Sequence, residues 1–318
     1  MKLPQLKIDR YTAELPIIQG GMAIRISTGA LAGAVAATGA IGVIGASGMA
    51  FDELRQEIRI ARQRAGKGIV AINIMFAARE FFGIVQTAIQ EKIDLVITGA
   101  GFSRDIFKIG QDNNTPILPI VSSARLAETS QKLGASAIVV EGKEAGGHLG
   151  TNRSIWDILP EVLSATNLPV IAAGGIINGA EVVRALKVGA SGVQMATRFV
   201  LAEECNAAIE YKRCYQQATK DDVVEISSPV GMPGRAILTP LVEKILTHTA
   251  PRPVGCDFCL KRCSLEYCII QALVNSQQGD VNHGVVFSGE YVWKILDRTI
   301  KPAAQIVAEI VKEAGEVN

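Results

Sequence analysis

Eight short apolar runs recur along the first two-thirds of the chain, and most stop at Gly, Asn, Ser or Glu, where a strand would give way to a loop. They are "PIIQGG" from Pro16, "IGVIGA" from Ile41, "GIVAINIM" from Gly68, "DLVITGAG" from Asp94, "PILPIVSS" from Pro116, "SAIVVEG" from Ser136, "PVIAAGGI" from Pro169 and "GVQMATRF" from Gly192. Segments with helical periodicity lie between them, among them "FDELRQEIRIARQRAG", "REFFGIVQTAIQEK", "SARLAETSQKLG" and "GAEVVRALKVGA". Eight alternations of strand and helix imply a parallel sheet and predict an α/β fold, a (β/α)₈ TIM barrel over residues 1–199, with an open doubly wound sheet as the competing arrangement. Beyond Phe199 the rhythm breaks. Residues 200–290 read as a helical cap that includes a cysteine block, and an amphipathic helix from Tyr291 to Glu313, within residues 291–318, is expected to pack back on the barrel.

The uncharged stretch from Ile26 to Phe51 is long enough to raise a transmembrane helix, but six glycines interrupt it, and "IGVIG" reads better as a buried strand after a helix that ends near Thr38-Gly39. Residues 1–16 lack the apolar core and small-residue cleavage site of a secretory signal, so a cytoplasmic location is expected. In that compartment the six cysteines read as thiols or metal ligands rather than disulfides. Apolar residues make up 48% and aromatics 5%, a core of small aliphatic side chains that suits parallel strands wrapped by helices. With 32 Lys and Arg against 31 Asp and Glu there is no long-range field to gather nucleic acid or an anionic membrane, and neither partner is expected.

The fold directs attention to the carboxyl ends of the strands, where barrel active sites lie. "QGGM", "NIM", "EGKEAGGH", "AGGI" and "QMATRF" all fall there. Phosphate is often held by backbone N–H groups of glycine-rich loops after the seventh and eighth strands; here those loops carry Gly174-Gly175 and Thr197, with Arg198 able to add a charge. Asn73 and Gln194 offer both donor and acceptor, as the edge of a flat heterocycle would need, or they satisfy strand-end backbone. Gly20-Gly21-Met22 offers bare backbone and a soft apolar side chain.

"PIIQGGMA", "NIM", "EGKEAGGHLG", "AAGGI" and "QMATRF", in this order and at these spacings, resemble the FMN-dependent family of nitronate monooxygenases and type II enoyl-ACP reductases. The resemblance covers the whole barrel and weakens after about residue 215. It implies FMN at the rim, with Gly21 and Met22 against the isoalloxazine and Asn73 and Gln194 at its polar edge. Glu141 and Gly146 would lie nearby, and Gly174, Gly175, Ala196 and Thr197, beside Met195, would hold the phosphate. It also implies that His148 is the catalytic residue, with Gly146 and Gly147 letting the backbone pass close to the flavin. The residues alone leave open a structural His148 that only caps the following segment.

Glu141 and Leu149 lean towards the enoyl reductases, which use NAD(P)H as co-substrate on a small-molecule or carrier-bound acyl thioester; nitronate oxidation by O₂ is the alternative. Two departures from the reductase pattern are Ile24, where an aromatic is common, and Ala196, where Gly is expected.

"GCDFCLKRCSLEYC" sets Cys256, Cys259, Cys263 and Cys268 together. On a helix the first three would lie within about 60° of one another at about 100° per residue, while Cys268 would need a bend to join them. The spacing is compatible with a [4Fe–4S] cluster, with structural zinc, or with free thiols in the cap. A cluster would make a ferredoxin-like electron partner, and a flavin and iron–sulfur electron-transfer module, a third reading. Cys205 and Cys214 read as buried apolar residues, and His248 and His283 as surface or cap residues. The loop "SSPVGMPGRAI" could cover the flavin, with Arg235 meeting a phosphate of a nucleotide or pantetheine carrier. A homodimer is compatible with the chain but nothing in the sequence fixes it.

Overall fold

The computed structural model describes residues 2–317. Eight parallel strands close on themselves: β1 (Ile17–Gln19), β2 (Ile41–Gly45), β3 (Ile69–Met75), β4 (Leu95–Gly99), β5 (Ile117–Val121), β6 (Ile138–Glu141), β7 (Val170–Ala173) and β8 (Gly192–Met195). Each falls in one of the eight apolar runs, because a strand buried on both faces is apolar throughout rather than alternating. The register runs in order round the ring, and β8 pairs with β1 through Val193 to Ile17, Gln194 to Ile18 and Met195 to Gln19. An N-terminal hairpin, Leu6–Ile8 with Tyr11–Ala13, adds Leu6, Ile8 and Ala13 to the apolar interior of the barrel.

Seven helices follow the strands in turn: α1 (Gly29–Ala36), α2 (Phe51–Ala65), α3 (Phe81–Gln90), α4 (Asp105–Asp112), α5 (Ala124–Leu133), α6 (Ile155–Ala165) and α7 (Gly179–Val188). The uncharged stretch after Ile26 is therefore one short helix and one buried strand, and among the described residues no helix is long and apolar enough to cross a membrane. Gly42 fits beneath α1 because a Cβ there would sit 1.8 Å from the Ala32 carbonyl oxygen.

The eighth helical position is filled from far along the chain. After β8 come a 3₁₀ turn (Thr197–Leu201), α8 (Ile209–Gln217), α9 (Pro240–Leu246) and α10 (Ile269–Gln277), and only then α11 (Ala303–Gly315), which packs between α7 and α1. Arg198, which might have been spent on phosphate, is buried instead and ties this helix down: it donates to the Ile177 carbonyl, to Glu309 (3.1 Å) and to Glu313 (3.4 Å). The last helix starts at Ala303, not at Tyr291; residues 292–294 form a 3₁₀ turn, and Pro302 sets the N-terminal boundary of α11.

The intervening cap is not helical throughout. β9 (Val223–Ser227), β10 (Pro233–Ile237) and β11 (Val286–Phe287) form an antiparallel sheet, and the two residues Gly147–His148 join its edge by pairing with Arg235 and Gly234 of β10. The loop after β6 is thus held by the cap, and that is what positions the site.

Candidate active site

A cavity of ≈ 420 Å³ opens at the carboxyl ends of the barrel strands, roofed by the cap. Gly21, Met22, Asn73, Glu141, Gly146, Gly147 and His148 line it, as do Gly174, Gly175, Gln194, Met195, Ala196 and Thr197. Residues spread over more than half the sequence therefore converge on one space.

Its inner wall is built from close backbone approaches. A Cβ on Gly21 would stand 2.4 Å from Asn73 Cβ, so only glycine lets the loop after β1 lie across the end of β3. Gly174 and Gly175 follow β7 with φ of +95° and +71°, the left-handed region that glycine enters without strain, and a Cβ on Gly174 would crowd the Ala145 amide nitrogen at 3.1 Å. The methyl of Ala196 packs on Gly20, where a Cβ would meet it at 3.1 Å, so the departure from Gly is absorbed by the neighbouring strand end. Gly146 has a different reason from the one expected: the Ser288–Gly289 backbone passes where its Cβ would be, with Ser288 carbonyl carbon at 2.6 Å.

These residues fit FMN. Gln194 Oε1 is buried with no hydrogen-bond partner on the cavity wall, an acceptor suited to the N–H edge of a heterocycle. The left-handed glycines and the Thr197 hydroxyl suit an anion held by backbone donors rather than by a cation. Neither arginine suspected of meeting phosphate faces that end. Arg198 is spent on α11, and Arg235 is buried with its guanidinium on the carbonyls of Lys143 and Ala145 and on Glu225, so it clasps the loop that carries His148.

His148 stands where this loop meets the cap. Its Nε2 is 2.8 Å from Ser228 Oγ, and Phe287 packs edge-on against the ring with centroids 5.2 Å apart. Burial pushes its pKa down to about 4, so the imidazole is neutral at physiological pH. Glu141, at the end of β6, is driven the other way, up to about 7, because its carboxyl is enclosed without a compensating partner.

The sequence reading missed the cap's contribution. Ser288, Gly289 and Tyr291 line the cavity, as do Tyr211 and Tyr215, whose stacked rings (5.7 Å) lie at i and i+4 on α8 and whose hydroxyls both donate to the Phe287 carbonyl. "FSGE", a Ser-Gly pair directly after an apolar run, was the one signal that could have marked Gly289.

The cysteines lie near one another, but not on a helix as expected. The segment 251–267 has no helix to stack them; Cys256, Cys259 and Cys263 are exposed, and Cys268 caps α10 by accepting from the Gln271 amide. Among the described residues no three Cys, His, Asp or Glu side chains form a metal-holding group. Cys259 alone lines the cavity, its thiol pushed up by burial and by the neighbouring thiols. Cys205 is buried, whereas His283 is exposed and bonded to Asp280.

Comparison with known proteins points to one family. A family model described as nitronate monooxygenase matches residues 5–75 and 60–313. A Mycobacterium tuberculosis protein named (3aS,4S,5R,7aS)-5-hydroxy-7a-methyl-1-oxo-octahydro-1H-indene-4-carboxyl-CoA dehydrogenase is 32% identical over 75% of this chain and 67% of its own length. A Rhodococcus jostii protein of the same name is 29% identical, and there the match spans 64% of the relative. A probable nitronate monooxygenase of Staphylococcus saprophyticus is 25% identical over 96% of this chain and 99% of its own. Among solved structures, FabK from Thermotoga maritima superposes with a TM-score of 0.86 at 33% identity, over 96% of this chain and 94% of that one.

Proposed function

The chain belongs to the nitronate monooxygenase family of FMN-dependent oxidoreductases, and from that premise we propose that it reduces the carbon–carbon double bond of an enoyl thioester with electrons from NADH or NADPH. The observation that carries the reading is the cap side of the cavity. Ile24, Val230, Leu260, Ile269, Ile270 and Leu273 line it, an apolar lining suited to an acyl chain and larger than a small alkyl nitronate needs. Ile24, where an aromatic is common, adds to that lining. Relatives also lean this way: the mycobacterial and rhodococcal proteins are named for a carboxyl-CoA, and FabK stands for the enoyl reductases.

FMN, when bound, supplies the two-electron carrier between pyridine nucleotide and substrate. Asn73 and Gln194 would meet its heterocycle, and Gly174, Gly175, Ala196 and Thr197 its phosphate. The protein's own contribution is to exclude water and to aim a neutral imidazole at the thioester. A neutral His148 N–H can stabilise charge developing on the carbonyl oxygen without bringing a second ion into an enclosed site. No step is routed through the cysteine segment, and the electron-transfer reading, which depends on a cluster there, is not carried further.

Anaerobic titration of the purified protein with NADH and NADPH, followed at the flavin band near roughly 450 nm, tests the reading. Bleaching by a pyridine nucleotide and reoxidation by an enoyl thioester are expected. No bleaching, with reduction by an alkyl nitronate instead, would make the chain a nitronate monooxygenase, as the staphylococcal relatives are named.

A further inference from the structure

Ser228 lies outside every motif of the barrel, on the turn between β9 and β10, yet among the described residues its buried Oγ makes the one side-chain hydrogen bond to His148, at 2.8 Å from Nε2. A neutral imidazole carries one N–H, so tying one ring nitrogen as an acceptor makes the other the donor. Two further contacts bear on the serine. The Val230 amide points at Oγ from 3.5 Å and occupies one of its two lone pairs, which leaves the second lone pair and the hydroxyl hydrogen to meet the ring. Tyr267, the other hydroxyl beside Ser228, has its own proton on the Ser227 carbonyl at 2.8 Å and is the competing acceptor. Among the described residues nothing bonds Nδ1, and the ring is part of the cavity wall.

We propose that Ser228 is a positioning residue that fixes His148 as the Nδ1–H tautomer, its hydroxyl donating to Nε2 so that Nδ1–H is the donor presented to substrate. The proposal rests on the reading of His148 as the group that hydrogen-bonds the reacting thioester. The turn that carries Ser228 is itself pinned from the cysteine-rich segment, by the Ser264 amide on the Pro229 carbonyl at 3.0 Å. The β9–β10 turn therefore covers the site and also chooses where its proton sits.

Two-bond ¹H–¹⁵N correlation of histidine-labelled holoenzyme reads the tautomer directly, and with three histidines in the chain His148 is assigned by its loss in H148Q. The expected spectrum has Nδ1 protonated in the wild type. In S228A it shifts towards Nε2–H, with FMN content unchanged, kcat for an enoyl thioester lowered at least about tenfold, KM little altered, and both spectrum and kcat recovered in S228T. An Nε2–H spectrum in the wild type, or a spectrum that S228A leaves unmoved, overturns the assignment. An Nδ1–H spectrum beside no turnover of any enoyl thioester upholds the tautomer and sinks the substrate reading instead.

Discussion

His148 and Glu141 face one cavity from the two sides of a short loop, and burial moves their protonation in opposite directions. His148 resists charging in the folded state: its pKa falls from 6.5 to about 4, so the unfolded chain holds more protons between those values and His148 makes stability rise with pH across that window. Glu141 does the reverse. Its pKa rises from 4.5 to about 7, the folded chain holds more protons between them, and stability falls as pH rises. The two slopes oppose each other where the windows overlap, each bounded by about 3 kcal/mol and reduced by water in the cavity. In FMN-free protein, E141Q should gain stability over wild type as pH climbs from 4.5 to 7, whereas H148N should be favoured at low pH and lose that advantage by pH 6.5, as read by thermal melts. Parallel shifts in the two variants would refute the paired burial. In the holoenzyme, H148A is expected to keep FMN and lose turnover by roughly 10²-fold, the usual cost of removing a proton-transfer group. His148 was legible because two glycines before the only histidine on a strand-end loop are unusual; Ser228 was not, since a serine beside a proline reads as an ordinary turn.

At the scale of elements, β10 is the hinge between cap and barrel. It pairs with β9 on one side, with β11 and the His148 strand on the other, and Arg235 reaches from it to the Lys143 and Ala145 carbonyls. R235M should destabilise the fold by about 1–3 kcal/mol, by orphaning the buried Ala145 carbonyl and the half-buried Lys143 carbonyl, and lower kcat through a loosened loop. A denaturation midpoint and kcat both equal to wild type would show that the clasp is inert. The helices and barrel strands were legible from periodicity because each repeats its pattern for several residues. The cap sheet was hidden because two of its strands are two residues long, while the Pro and Gly of "PGRAI" suit an edge strand as well as a loop. Both arginines were misread for the same reason: sequence records a charge near a glycine loop but not which way a long side chain turns.

For the whole molecule, the order of strands and helices around the barrel could be read from the chain, and the late return of its eighth helix was visible only as an amphipathic stretch near its end. α11 buries Ala303, Ile306, Val307, Ile310 and Ala314 against α7 and α1. At about 1.5–3 kcal/mol for each large aliphatic side chain, that contribution rivals the net stability of a typical domain. Truncation before Pro302 should therefore abolish cooperative unfolding in calorimetry; a truncated protein that melts in one sharp transition near the wild-type temperature would show that the barrel closes without it.

The same arrangement has a consequence for how the protein is made. Because the chain leaves the barrel wall at Met195 and resumes it at Ala303, a ribosome adding roughly 5–20 residues per second leaves the apolar seam between α7 and α1 uncovered for roughly 5–20 s while the cap emerges. In that interval the seam is a chaperone's substrate, and yield in a cell depends on whether it is shielded before α11 arrives to take its place.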